Sequence, residues 1–105
     1  MQLKMRSGES AVLYQTDEGI WCCPVCGSPE FTQPPYFEDG APSFEMCSCG
    51  FEFGFDDDPG ASKEAVEGVV NNWVRWRENI TKYLPKPSNK YEQIKINLKN
   101  IGLEI

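Results

Sequence analysis

The stretch Cys22-Cys23-Pro24-Val25-Cys26-Gly27 and, after the twenty residues from Gly27 to Met46, Cys47-Ser48-Cys49-Gly50 decides how this chain reads. All five cysteines lie within it. Two closely spaced thiol pairs, each followed at once by a glycine, have the pattern of two knuckles closing over one tetrahedral metal ion. A closely spaced pair can set both sulfurs on one tetrahedron at ~2.3 Å from zinc, and the glycine supplies positive φ and bare N–H groups near the sulfurs. The first knuckle has the usual two intervening residues; the second has one, and Met46 stands three before Cys49, where a ribbon would carry its partner cysteine. The expectation is one structural zinc per chain held by Cys23, Cys26, Cys47 and Cys49, with Cys22 a spare thiol able to substitute for one of them.

Two other readings of the cysteines stay open. One is a site that has lost its metal, its thiols merely buried, and the irregular second knuckle motivates it. The other is disulfide or redox chemistry, against which stand the odd count and the expectation of a chain without a secretory signal. A redox Cys-x-x-Cys pair usually opens a helix, whereas Gly27-Ser28-Pro29 reads as loop.

The 105 residues suit a single domain, small enough that a metal staple adds materially to its stability. No apolar run approaches the ~18 residues of a membrane helix, so the expectation is a soluble, cytoplasmic protein. Net charge is −6 and unevenly spread: residues 22–62 carry eight acidic and no basic side chains, residues 63–105 eight basic and five acidic. A ribbon that grips phosphates carries lysines and arginines on its knuckles, and this one has none.

In chain order, Met1 to Ser10 reads as a loose end or short strand. Ala11 to Tyr14 suits a strand, and Thr16-Asp17-Glu18-Gly19 is turn chemistry that returns the chain to Ile20 and Trp21. Prolines interleaved with Phe31, Tyr36, Phe37 and Phe44 predict short hairpin arms between the knuckles. Phe51-Glu52-Phe53-Gly54-Phe55 alternates like a strand with one buried face, and Asp56-Asp57-Asp58 after it suits the approach to a helix N-terminus. Val66, Val69, Val70, Trp73, Val74, Ile80, Tyr83 and Leu84 form an apolar stripe, interrupted near Arg77, that predicts a helix over 62–84. Asn89 with Glu92 resembles a capping box opening a second helix over 89–101. No segment repeats. The fold class read from this is α+β, one domain over 1–105: a zinc-ribbon-like β-hairpin module (11–58) packed against a long amphipathic helix and a second C-terminal helix.

Cys23-Pro24-Val25-Cys26-Gly27, then Cys49-Gly50-Phe51-Glu52-Phe53-Gly54 with its acidic run, then a tryptophan-bearing helix and the Asn100-Ile101-Gly102 tail, resemble the small bacterial cysteine-rich CPCC-type proteins over roughly residues 20–105. The second knuckle is shortened relative to that family's Cys-Pro-x-Cys-Gly. The resemblance implies a zinc-ribbon-like module, mostly of unassigned function, with some members encoded beside polymorphic toxins as immunity-type proteins. It implies no catalytic residues.

The chain has no histidine, so imidazole-based acid–base chemistry and an HExxH zinc site are both excluded. The leading expectation is a non-catalytic binding protein whose acidic face, with Glu38, Asp39, Glu52, Asp56, Asp57 and Asp58, and Trp76 at the edge of the helical stripe, meets a basic, toxin-like protein partner. One rival is a nucleic-acid-binding ribbon using Lys82, Lys86, Lys90, Lys95 and Lys99. A second is an enzyme whose Asp56–Asp58 cluster binds a divalent ion.

Overall fold

Gly8, Gly19, Gly40 and Gly50 punctuate the N-terminal half, and the computed structural model, which describes residues 1–105, gives them one common role. Each has φ between 83° and 93° and stands fourth in a five-residue hairpin turn: Met5–Glu9, Thr16–Ile20, Phe37–Ala41 and Cys47–Phe51. In every turn the first residue's N–H donates to the fifth carbonyl at 2.8–2.9 Å, and the glycine N–H donates back to the first carbonyl at 2.8–2.9 Å. This is a tight turn closed by a residue in the left-handed region, where a Cβ would crowd the following carbonyl. The four turns share only their glycine in sequence. The repetition is therefore conformational, and residue-type comparison does not see it.

The Met5–Glu9 turn joins one of two small antiparallel sheets, the other three turns each close a single bridge, and the second sheet is joined through the first knuckle. Strand β1 (Gln2–Lys4) pairs with β2 (Ser10–Val12), Leu3 opposite Ala11, so the chain start is a strand and β2 begins one residue before the expected Ala11. The expected return over Thr16–Gly19 forms through a Gln15–Trp21 bridge and a 2.9 Å bond from the Cys22 N–H to the Tyr14 carbonyl. Trp21 then opens β3 (Trp21–Cys22), which pairs with β4 (Pro29–Phe31). The strand expected over Phe51–Phe55 reduces to a single Met46–Glu52 bridge. Its alternation survives as far as Phe51 and Phe53, both fully buried, but Phe55 is exposed because the chain turns there, the N–H groups of Phe55 and Asp56 both donating to the Glu52 carbonyl.

Helix α1 runs Val69–Tyr83, starting well after the expected residue 62. The reason is local. Gly68 takes φ 94°, and the buried Asn72 side chain accepts the Val66 N–H at 2.9 Å while donating to the Val66 and Gly68 carbonyls at 2.7 and 2.8 Å, which holds the preceding segment in a loop. The helix is capped from afar: Glu9, in the first hairpin, accepts the N–H groups of Val69 and Val70 at 2.5 and 3.3 Å. The Asp56–Asp58 run does not cap it. Helix α2 runs Asn89–Lys99, two residues shorter than expected, and its cap is Ser88, whose Oγ accepts the Tyr91 N–H at 3.1 Å; Glu92 pairs with Lys95 instead.

One core gathers Leu3, Leu13, Val25, Phe31, Tyr36, Phe51, Phe53 and Trp73, with Val69, Val70, Trp76 and Ile80 of α1 packed against it. Trp76 and Arg77 thus fill the apparent gap in the helical stripe, while Val66, Val74 and Tyr83 lie outside it and are exposed. A smaller cluster of Cys22, Leu98 and Ile101 seats α2. The result is an α+β fold of two small hairpin sheets and two helices. No helix is long and apolar enough to cross a membrane.

Candidate metal centre

Both knuckles are shaped by backbone bonds onto sulfur. The Val25 N–H donates to Cys23 Sγ and the Cys49 N–H to Cys47 Sγ, each at 3.4 Å. In the first knuckle the Gly27 N–H reaches back to the Cys23 carbonyl at 2.8 Å, a loop one residue longer than the glycine turn Cys47–Gly50 that forms the second. The shortened Cys47-Ser48-Cys49 spacing is therefore a consequence of using the five-residue hairpin turn already present three times in the chain. It still delivers two thiols.

The Sγ atoms of Cys23, Cys26, Cys47 and Cys49 all lie within 4.8 Å of one another, and Cys26 Sγ stands 3.5 Å from Cys47 Sγ. Four sulfurs on a tetrahedron of ~2.3 Å bonds stand about 3.8 Å apart, so the cluster is dimensioned to hold one metal ion. Cys23, Cys26 and Cys47 are buried and Cys49 half-buried. Burial first, then the neighbouring thiols of Cys26, Cys47 and Cys49, push the Cys23 thiol well above its usual range. Thiolates gather in such a place only around a compensating cation, and the donor set is all sulfur, which suits a soft or borderline ion. Cys22 stands apart: it is buried against Leu98 and Ile101, not among the four, so the expected spare ligand is a packing residue of the α2 seat.

Two residues that the sequence did not mark for the site, Arg77 and Glu30, frame it, and the knuckle glycine Gly27 closes it against α2. Arg77 projects from α1 onto the first knuckle, Nε donating to the Val25 carbonyl at 2.7 Å and Nη2 to the Pro24 carbonyl at 2.8 Å. Burial lowers its pKa, only partly offset by the Cys23 and Cys26 sulfurs and by Glu78, and its guanidinium lies beside the sulfur cluster in a module that has no basic residue of its own. Glu30 spans the knuckles, accepting from the Ser48 N–H at 2.9 Å and from the Ser48 and Ser28 hydroxyls at 2.6 Å each. Burial pushes its carboxyl up, but these bonds outweigh that and hold it below the usual carboxylate range. Gly27 lies against α2: a Cβ built there would meet the Asn97 carbonyl oxygen at 1.9 Å. The serines beside each cysteine pair were the legible signal for Glu30. Arg77 had none beyond its place in the stripe.

The expected partner-facing residues separate. Glu38 and Asp39 are exposed on the Phe37–Ala41 turn, Asp39 also accepting the Ala41 N–H at 2.9 Å. Asp57 is buried, bonded by the Tyr36 hydroxyl and by the Gly54 N–H at 3.1 Å, and so is a core residue unavailable to a partner. Asp56 turns to the Glu52 N–H and Asp58 to the Gly60 N–H, both at 2.8 Å, so the three carboxylates point to separate backbone groups and do not converge on a common point. Trp76 is not an open edge: its indole N–H donates to the Cys49 carbonyl at 3.1 Å and its ring meets Phe51 edge-on at 5.4 Å, sealing the second knuckle. Lys82 lies over Tyr83, and Lys86 and Lys95 lie over Tyr91.

No protein-family model, curated protein or solved structure matches this chain.

Proposed function

We propose that this chain is a non-catalytic protein that carries one structural zinc and acts by binding a basic protein partner. The observation behind the reading is the convergence of four thiols within 4.8 Å, with no histidine in the chain and no carboxylate among the donors. Cys23, Cys26, Cys47 and Cys49 would hold the ion, and the ion would supply charge compensation and cross-linking, with every donor a protein sulfur and none left for substrate. Apparent zinc binding energies of ~10–16 kcal/mol rival the whole net stability of a small domain, so metal binding and folding are one process here. Arg77 fixes the first knuckle to α1, and Glu30 links the two knuckles. The partner class follows from charge: eight acidic and no basic side chains over residues 22–62 present a field that attracts a basic surface. The resemblance to CPCC-type proteins points the same way, toward an immunity-type role.

The test is native mass spectrometry with elemental analysis on protein purified without a metal-affinity step. One zinc per chain, kept in Cys22→Ser and lost in Cys49→Ser, supports the reading. Equal zinc loss in Cys22→Ser, or no metal in a folded wild-type chain, contradicts it. Magnesium-dependent turnover lost in Asp58→Asn would replace it with the divalent-metal enzyme.

A further inference from the structure

Phe44 is the one non-glycine residue with positive φ, at 62°. Residues other than glycine, asparagine and aspartate rarely adopt that backbone conformation, because Cβ crowds the backbone. A strained bulky residue is usually retained because its ring fills the core. Phe44 does not: it is 65% exposed. Its ring lies across Gly54, where a Cβ would come within 2.5 Å of it, so a bare Cα opposite is what lets the ring lie on the outer surface.

The neighbourhood extends this apolar point. Phe53, whose N–H donates to the Glu45 carbonyl at 3.1 Å, turns inward and is fully buried, while Met46, bridged to Glu52, turns outward and is 59% exposed. Phe55 is exposed in the next turn. Beside Phe44 opens a cleft of about 410 Å³ with Pro42 on its wall, Asp58 and Glu67 among its other lining residues, and Arg6 its one cation. Exposed aromatic and methionine side chains ringed by polar groups are the usual composition of an interface anchor.

We propose that this outer face of the second-knuckle hairpin, anchored by Phe44 and Met46 and rimmed by Glu52 and Asp58, docks a segment of a partner protein that interleaves basic with apolar side chains. The inference rests on the partner-binding reading above and locates it. Charge decides the occupant: the face and its cleft carry Glu52, Asp58 and Glu67 against the single cation Arg6, so a second copy would bring two net acidic faces together, whereas a basic segment neutralises them. Strain held at an exposed residue is accounted for when the displayed ring itself has a task.

The experiment is NMR titration of the zinc-loaded, full-length protein, with ¹⁵N amides and ¹³C methionine methyls, against three twelve-residue probe peptides. They alternate Arg with Leu, Arg with Gly, and Glu with Leu. The Arg–Leu peptide is expected to shift the Met46 methyl and the amides of residues 43–46 and 52–55. It should bind at least tenfold more tightly than either other peptide and at least tenfold more weakly to Phe44→Asn, which relieves the strain and keeps its zinc. Met46→Ala gives a second, independent loss. Equal affinity of Phe44→Asn, equal binding of Arg–Gly, or concentration-dependent shifts without peptide overturn the docking surface. Tight binding mapped to another face overturns the surface alone, and no binding of any basic probe overturns the partner reading with it.

Discussion

Glu30 holds Ser48 twice, Oε1 accepting its N–H at 2.9 Å and Oε2 its hydroxyl at 2.6 Å, so one carboxylate from β4 fixes the residue between two candidate ligands. Ser28 donates to the same carboxylate from the first knuckle, which makes Glu30 the polar link between the halves of the metal centre. Removing it frees the shorter knuckle to sample geometries that do not chelate. Glu30→Ala is expected to cost about 1–2 kcal/mol, the net worth of charge-assisted bonds at a partly solvated site, and to speed metal loss to a competing chelator several-fold at constant pH. An unchanged transfer rate would show that Glu30 merely decorates the surface.

Arg77 contributes geometry and charge together. Its Nε and Nη2 engage two successive carbonyls of the first knuckle, and a fork of donors is something lysine cannot reproduce. Arg77→Met is expected to lower the unfolding free energy of the metal-loaded protein by about 2–4 kcal/mol, since two carbonyls lose charged donors and four sulfurs lose a nearby cation. Arg77→Lys should recover roughly half of that loss, because it restores charge without the fork. Denaturant titration in a buffered zinc solution measures both, and equal stability of all three chains would refute the assignment.

Close approach, joined by one hydrogen bond from the Asn100 side-chain amide to the Gly27 carbonyl at 3.1 Å, governs the seat of α2. A methyl at Gly27 meets the Asn97 carbonyl at 1.9 Å, and Gly27 also holds φ 83°. Gly27→Ala therefore forces α2 away from the first knuckle, and Cys22, now packed on Leu98 and Ile101, becomes accessible. The expected readout is one thiol per chain reacting with a disulfide reagent orders of magnitude faster than in the parent protein. Faster amide exchange confined to α2 should accompany it. If Cys22 stays protected, α2 does not depend on that contact.

The Asp57 carboxyl carries a pH dependence of defined sign. Burial pushes its pKa up, and the bonds from the Tyr36 hydroxyl and the Gly54 N–H only partly offset this. A carboxyl whose folded pKa lies above its unfolded value near 4 binds more protons folded than unfolded. Its stabilising contribution is complete below that unfolded value and is lost as pH rises through the folded one. Asp57→Asn removes the titration and keeps an acceptor for Gly54. The variant is thus expected to gain on the parent as pH rises from about 4, with the acid sensitivity of the metal centre common to both chains and cancelling in the difference. A difference that is flat with pH, or of opposite slope, would contradict the raised pKa.

Much of this arrangement was legible in the residues. Thiol pairs with their glycines mark the knuckles because metal chelation needs local spacing, and the apolar periodicity marks both helices because packing needs one face. Beyond those local rules the sequence is ambiguous. The start of α1 is set by Gly68, Asn72 and a carboxylate sixty residues upstream at Glu9, and no local pattern links Glu9 to Val69. Cys22 and Cys23 are adjacent and chemically identical, yet successive residues of an extended strand face opposite ways, so one enters the sulfur cluster and the other the α2 seat. Asp57 looks like its two neighbours in sequence and differs only in meeting Tyr36 across twenty-one residues. Arg77 interrupts an apolar stripe when read along the helix, and completes it once the Pro24 and Val25 carbonyls lie beneath it.

X-ray absorption at the zinc edge, on protein purified without a metal-affinity step, tests the central claim most directly. The account predicts a single shell of four sulfurs at about 2.3 Å, unchanged in Cys22→Ser. Fewer than four sulfurs, light-atom scatterers near 2.0 Å, or a folded chain without zinc would contradict it.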